Sequence, residues 1–106
     1  MSNLSKQLQE MVLKVIILKL LNVNDMYGYE LNKTINEKSK GYFKMKEETL
    51  YPILYDMENK KLIESYWSKI NFPRKYYRIT KDGQKFLEQQ LKELRAFKEG
   101  ITRVLN

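Results

Sequence analysis

Between Leu62 and Ile79 the helical spacing of apolar residues that marks the rest of this chain stops. Two extended runs replace it. Leu62 to Lys69 carries Ile63, Tyr66 and Trp67, and Arg74 to Ile79 reads "RKYYRI". The short "INFP" between them closes the pair into a β-hairpin. Strand alternation puts Tyr77 and Ile79 on one face and Arg74, Tyr76 and Arg78 on the other. Tyr77 therefore reads as an anchor to the core. One hairpin in an otherwise helical chain of 106 residues restricts the fold to a small α+β, mostly helical domain.

The helices follow from period and punctuation. Leu4 to Asn22 places Leu8, Met11, Val12, Val15 and Ile16 at helical spacing. Ile17, Leu18, Leu20 and Leu21 widen that face until the helix is apolar on most sides, so it should be buried on most sides. "NVND" is a turn, and Asp25 is a candidate cap for a second helix from Tyr27 to Lys38, with Leu31 and Ile35 inward. Gly28 weakens that helix and marks a close backbone approach. After a connection broken by Gly41, a third helix runs from about Glu47 to Lys60. Leu50, Ile53, Leu54 and Met57 form its stripe, and Pro52 argues for a start only a few residues earlier.

Thr80 caps a long final helix from Lys81 to about Leu105. Its seam is Leu87, Leu91, Leu94, Ile101 and Leu105, interrupted by Lys98 and flanked by Phe97. A domain this small has no core left to cover such a helix, so a second copy of the chain is the expected cover. The sequence divides into residues 1–80 and a dimerisation helix, 81–106. Leu8, Met11 and Val15 of the first helix join Leu87, Leu91, Leu94, Phe97, Ile101 and Leu105 in the expected dimer interface.

Charge narrows the function. The net charge is +7, which favours a polyanionic partner. From Tyr66 to Thr80 there are four cations (Lys69, Arg74, Lys75 and Arg78) and no acid. Cysteine and histidine are absent, which removes a thiolate nucleophile, the commonest general base and the commonest zinc ligands. Nothing near Glu47, Glu48 or Asp56 supplies a nucleophile, a phosphate loop or a metal set, so no enzyme activity, metal or cofactor is expected. The polar N-terminus and the interrupted run Met11 to Val23 suggest neither a signal peptide nor a membrane span. The expected setting is the cytoplasm.

Helix, helix, helix, hairpin is a winged helix-turn-helix order. The third helix can enter a DNA major groove, and a cationic hairpin beside it can meet phosphates. The chain resembles the PadR family of bacterial transcriptional regulators, in particular its short members. The resemblance rests on "YGYEL" at 27–31, "TLYPIL" at 49–54, Glu58 with Leu62 and Ile63, and "RKYYRIT" followed by "KDG". It departs at Glu48, Asp56 and Lys61, where the family often has a small residue, an arginine and a glycine. It implies a dimeric repressor on a pseudo-palindromic double-stranded operator, acting at the nucleoid. It also implies that the final helix pairs with the partner's first and last helices.

The DNA-contact candidates are Lys44, Lys46, Thr49, Tyr51, Lys69, Arg74, Lys75 and Tyr76. Each has a plainer alternative. Tyr51 could pack against the second helix, Tyr76 could stiffen the hairpin, and the cations could be a solvated face. Trp67, with Tyr66 and Phe72, is either hairpin packing or a stacking platform. Met11, Val15, Leu94 and Phe97 either fill the dimer core or line a pocket for a hydrophobic small-molecule effector. The acids at 47, 48 and 56 motivate a further alternative, a protein-interaction module with weak DNA binding.

Overall fold

The computed structural model describes residues 6–70 and 73–106. Leu4, where the sequence starts the first helix, and Asn71 and Phe72 of the hairpin loop lie outside them. Among the described residues are four helices and a three-stranded antiparallel sheet. The order is α1 (Lys6–Leu21), β1 (Met26–Tyr27), α2 (Gly28–Lys38), α3 (Glu47–Asn59), β2 (Ile63–Ser68), β3 (Arg74–Ile79) and α4 (Lys81–Leu105). The sheet order is β1-β3-β2. The hairpin register pairs Ile63 with Ile79, Ser65 with Tyr77, and Trp67 with Lys75.

Every element contributes to one core, β1 through the half-buried Met26 and the others through buried side chains. Leu13, Ile17 and Leu18 of α1 meet Leu31 of α2, Leu50, Leu54 and Met57 of α3, and Ile63 of β2. Tyr77 closes it from β3 and Leu87 from α4. The third helix buries the stripe that its spacing predicts, Leu50, Ile53, Leu54 and Met57. Pro52 lies in the second turn and is exposed, so its missing N–H costs one bond on the solvent side.

Three local expectations change. Asp25 does not cap α2. Tyr27 does, in extended conformation, and its N–H donates to Glu30 Oε1 at 3.4 Å. Asp25 instead accepts from the Tyr66 hydroxyl at 2.6 Å and ties the turn to β2. Met26 and Tyr27 pair with Tyr77 and Tyr76 as a third strand. Leu87 is the second correction. The seam assigns it to a partner chain, but at 3 % exposure it belongs to its own protomer's core. Val15 is likewise buried within the chain.

The joint between α3, the hairpin and α4 is tight. Lys61 turns the chain with φ 62°, in the left-handed region that favours glycine. Its N–H donates to the Glu58 carbonyl and that of Leu62 to the Met57 carbonyl, each at 3.0 Å, closing the end of α3. The Leu62 carbonyl accepts from the Thr80 N–H at 3.1 Å, and the Thr80 hydroxyl donates to the Lys61 carbonyl at 2.7 Å with the Leu62 oxygen 3.0 Å away. The hydroxyl oxygen in turn accepts from the Gly83 N–H at 2.9 Å and caps α4. A Cβ on Gly83 would lie against the Leu62 carbonyl oxygen and 2.8 Å from Ile79 Cγ1. Gly83→Ala is therefore expected to cost about 1–3 kcal/mol. Lys61→Gly should add about 1 kcal/mol by removing left-handed strain. Urea unfolding of both variants checks the two signs.

Candidate nucleic-acid interface

The third helix turns one side to solvent because its apolar stripe occupies the other. Thr49, Tyr51 and Tyr55 are exposed. Tyr51, Tyr55 and Glu58 stand four and three residues apart, on one face. Tyr51 does two things. Its ring lies over Gly28 of α2, where a Cβ would be 2.8 Å from Tyr51 Cε1 and Cζ, yet the residue remains 42 % exposed. Gly28 is thus the close approach that its cost to α2 suggests. Just before the helix, Met45 is buried while Lys44 and Lys46 point to solvent. Asn32 Nδ2 donates to the Met45 carbonyl at 3.0 Å and holds this segment against α2.

The acids of α3 are accounted for locally. Asp56 lies 2.8 Å from Lys14 Nζ of α1 and 3.2 Å from Lys60 Nζ one turn on. Hydrogen bonds from Lys14 and then Lys60 outweigh desolvation and hold its carboxyl below the ordinary aspartate value. The charge that would repel a phosphate is balanced twice. Glu58 accepts from the Ser65 hydroxyl and sits 3.9 Å from Lys75 Nζ, so it clamps the hairpin to α3. Burial, then the nearby Glu58 and Tyr51, push the Tyr77 hydroxyl up. Glu47 and Glu48 occupy the first turn of α3, where the helix dipole favours negative charge.

The hairpin has two unlike faces. Arg74 lies over the Tyr27 ring, its Cζ 4.5 Å from the centroid. Tyr76 packs edge-on to Tyr27 at 5.4 Å and stacked on Tyr66 at 5.8 Å. Arg78 pairs with Glu64 at 2.9 Å and lies 4.9 Å over Tyr66. Asp25 takes the Tyr66 proton donor and raises that phenol's pKa. Lys75 stands on the opposite face with Tyr77 and Trp67, beside α3. Adjacent in sequence, Arg74 and Lys75 therefore point to opposite sides of the wing. Lys69 is exposed near the wing tip.

Of the sequence candidates, Lys44, Lys46, Thr49 and Tyr51 gather at the start of α3, and Lys69, Arg74, Lys75 and Tyr76 on the hairpin. Tyr55, 68 % exposed on α3, is absent from that set. Its signal was present: it falls out of phase with Leu50, Ile53, Leu54 and Met57.

A model of the transcriptional regulator PadR-like family matches residues 17–89. The chain belongs to this family. A solved transcriptional regulator from Clostridium thermocellum is 35 % identical and superposes with a TM-score of 0.84, covering 94 % of this chain and 96 % of that one. A PadR-like regulator from Bacillus cereus is 30 % identical, also with a TM-score of 0.84, over 95 % of this chain and 98 % of its own. An HTH-type transcriptional regulator of Methanocaldococcus jannaschii is 34 % identical over 107 residues, 91 % of this chain and 92 % of that relative. The protein is a PadR-like transcriptional regulator with a winged helix-turn-helix fold. α2 and α3 form its helix-turn-helix, and the β2–β3 hairpin is its wing.

Beyond Leu91 residues 92–106 of this regulator's α4 are all exposed. A groove between α1 and α4 is lined by Leu8, Met11, Val12, Val15, Leu94 and Phe97, with Gln90 and Glu93 at its rim. Among the described residues no group of acids forms a metal site, and no helix is long and apolar enough to cross a membrane.

The Asp56 pair has a pH signature. Its folded pKa is depressed, so its stabilisation is complete above about pH 4 and fades on further acidification. Both partners are partly exposed, so the effect is about 1 kcal/mol or less. Urea midpoints of the wild type and Asp56→Asn should differ at pH 7 and draw together as the pH falls below 4.

Proposed function

We propose that this regulator binds a pseudo-palindromic double-stranded DNA operator as a homodimer and represses transcription from it. The observation that carries the reading is the pairing of an outward, charge-balanced α3 with a clamped cationic wing. A helix of this kind fits a major groove, and cations beside it supply the salt-dependent part of the affinity. Thr49, Tyr51 and Tyr55 are the candidates for base edges. Lys44, Lys46, Lys69, Arg74 and Lys75 are the candidates for phosphates, with Tyr76 against the backbone. Two recognition helices would stand about one turn of DNA apart, near 34 Å. The setting is the cytoplasm, on the nucleoid.

Residues 1–80 carry the DNA-binding work in this reading, and 81–106 the dimerisation. Leu8, Met11, Leu91, Leu94, Phe97, Ile101 and Leu105 make the seam, with Val15 as its floor. The support is physical. Phe97 is 67 % exposed, and Leu94, Ile101, Val104 and Leu105 continue its apolar side along an uncovered helix. A stable dimer covers such a surface. Phe97→Asp is expected to shift gel-filtration elution from dimer to monomer. Unchanged elution as a dimer would remove α4 from the interface.

The DNA reading is tested by gel shift on duplex from the regulator's own promoter region across a salt series. Arg74→Glu with Lys75→Glu should weaken binding and lower the slope of log K against log salt by about one for each phosphate no longer neutralised. Binding equal to wild type would take the wing out of the mechanism.

The apolar groove favours one secondary reading, a hydrophobic small-molecule effector held by Met11, Val15, Leu94 and Phe97. Saturable quenching of a planar dye by the purified dimer is the expected sign. Its absence would leave the groove as filled dimer core.

A further inference from the structure

Trp67 is the one tryptophan of the chain, and its place on the wing is unusual. By strand parity it belongs to the inner face of the hairpin, with Ile63 and Ser65. Ile63 is buried and Ser65 half-buried, but Trp67 is 66 % exposed. Glu58, at the C-terminal end of α3, reaches Ser65 and Lys75, and that clamp stands one inward position before Trp67. The indole overhangs past it, opposite Lys75 across the strands. A large aromatic gains most by burial. Here it stands in a segment, 66–80, with four cations and no acid.

The surroundings decide what would cover it. An apolar protein patch has no use for Lys69 and Lys75 beside the contact, whereas a polyanion does. Tyr51, Tyr55 and Glu58 lie along one side of α3, and Glu58 hands that side on to the face that Trp67 shares. When α3 stands in a major groove, the indole is therefore carried on the side of the wing turned to the same duplex. Apolar side chains amid cations are what minor-groove contacts use, against sugar edges or between base steps.

We propose that Trp67 makes an apolar contact with the sugar edge of the minor groove flanking the α3 site. This rests on the operator-binding reading above and adds a contact that charge does not provide. The cations would set the salt dependence, and Trp67 a salt-independent increment and the depth of wing entry.

The chain's own tryptophan is the probe. Promoter duplex, with binding confirmed by gel shift, should quench Trp67 emission and shift it to the blue, saturating with the complex. Heparin, which engages cations alone, should leave the emission maximum unmoved. Trp67→Ala should weaken the complex about tenfold without changing the salt slope, while Trp67→Phe keeps most of the affinity. Arg74→Glu should do the reverse to the slope. Circular dichroism of both Trp67 variants should match wild type, as the side chain is exposed. Unchanged emission in a complex seen by gel shift, or Trp67→Ala binding as wild type, would overturn the proposal and leave the operator reading standing. Emission that shifts with protein concentration alone, without DNA, would also overturn it, by placing Trp67 in a protein contact. No gel shift at any salt would overturn both readings.

Discussion

The carbonyl of Leu62 is the point on which the layout of this regulator turns. It accepts from the backbone N–H of Thr80, whose hydroxyl donates to the neighbouring Lys61 carbonyl at 2.7 Å and lies 3.0 Å from the Leu62 oxygen. That one residue thereby ends the hairpin and starts α4. Gly83 packs against the same carbonyl because it has no Cβ, and Lys61 delivers α3 into the joint through a left-handed turn. The directions of α3, the wing and α4 are set within a few residues of one another. Gln84 adds a bond to Asn22 at 3.1 Å, which ties α4 to the end of α1. In the proposed homodimer this joint favours rotation at the α1–α4 seam over bending inside the winged domain as the way to change the spacing of two recognition helices.

Electrostatics on the DNA side works by placement more than by amount. The excess of +7 is modest, and α3 carries four acids of its own. Two stand at the positive pole of the helix. Asp56 is held by Lys14 and Lys60, and Glu58 by Ser65 and Lys75. Half-exposed pairs of this kind add little to stability. Their larger effect is on shape and field: one neutralises the flank of α3, the other fixes the angle between helix and wing. Lys75 therefore has a structural partner as well as an exposed ammonium, and any phosphate it meets competes with Glu58 at 3.9 Å.

Much of this was legible in the sequence. The apolar spacing of α3 and the break at Leu62 are strong periodic signals, and the elements stand where those signals put them. β1 was not legible, because two residues carry no period and Met26 and Tyr27 become a strand only when β3 pairs with them. Asp25 looks like a cap from its neighbours alone, and Tyr66, 41 residues away, claims it. The partner of Asp56 on α1 is equally remote. Leu87 fits the heptad seam by spacing, but the first turns of α4 lie on the core of their own protomer before the helix departs. Arg74 and Lys75 illustrate a different limit. Adjacency suggests a shared role, and alternation, which was available, separates them.

Two groups of exposed apolar side chains differ in chemistry, and the difference bears on the partners proposed for them. Along α1 and the outer part of α4 they are mainly aliphatic: Leu8, Met11, Leu94, Ile101 and Leu105, with Phe97 among them. Such residues have nothing to offer water or phosphate, and they suit a dry contact with an identical surface. On α3 and the wing, Tyr51, Tyr55 and Trp67 each carry a polar handle, among lysines and Arg74, with the aliphatic Ile70 beside them. Protein–DNA contacts are wet and positively charged, and an amphipathic ring can touch a sugar edge while keeping a hydrogen bond to water or phosphate. That contrast, more than the net charge, is what the proposed division into a side for a second copy and a side for nucleic acid draws on.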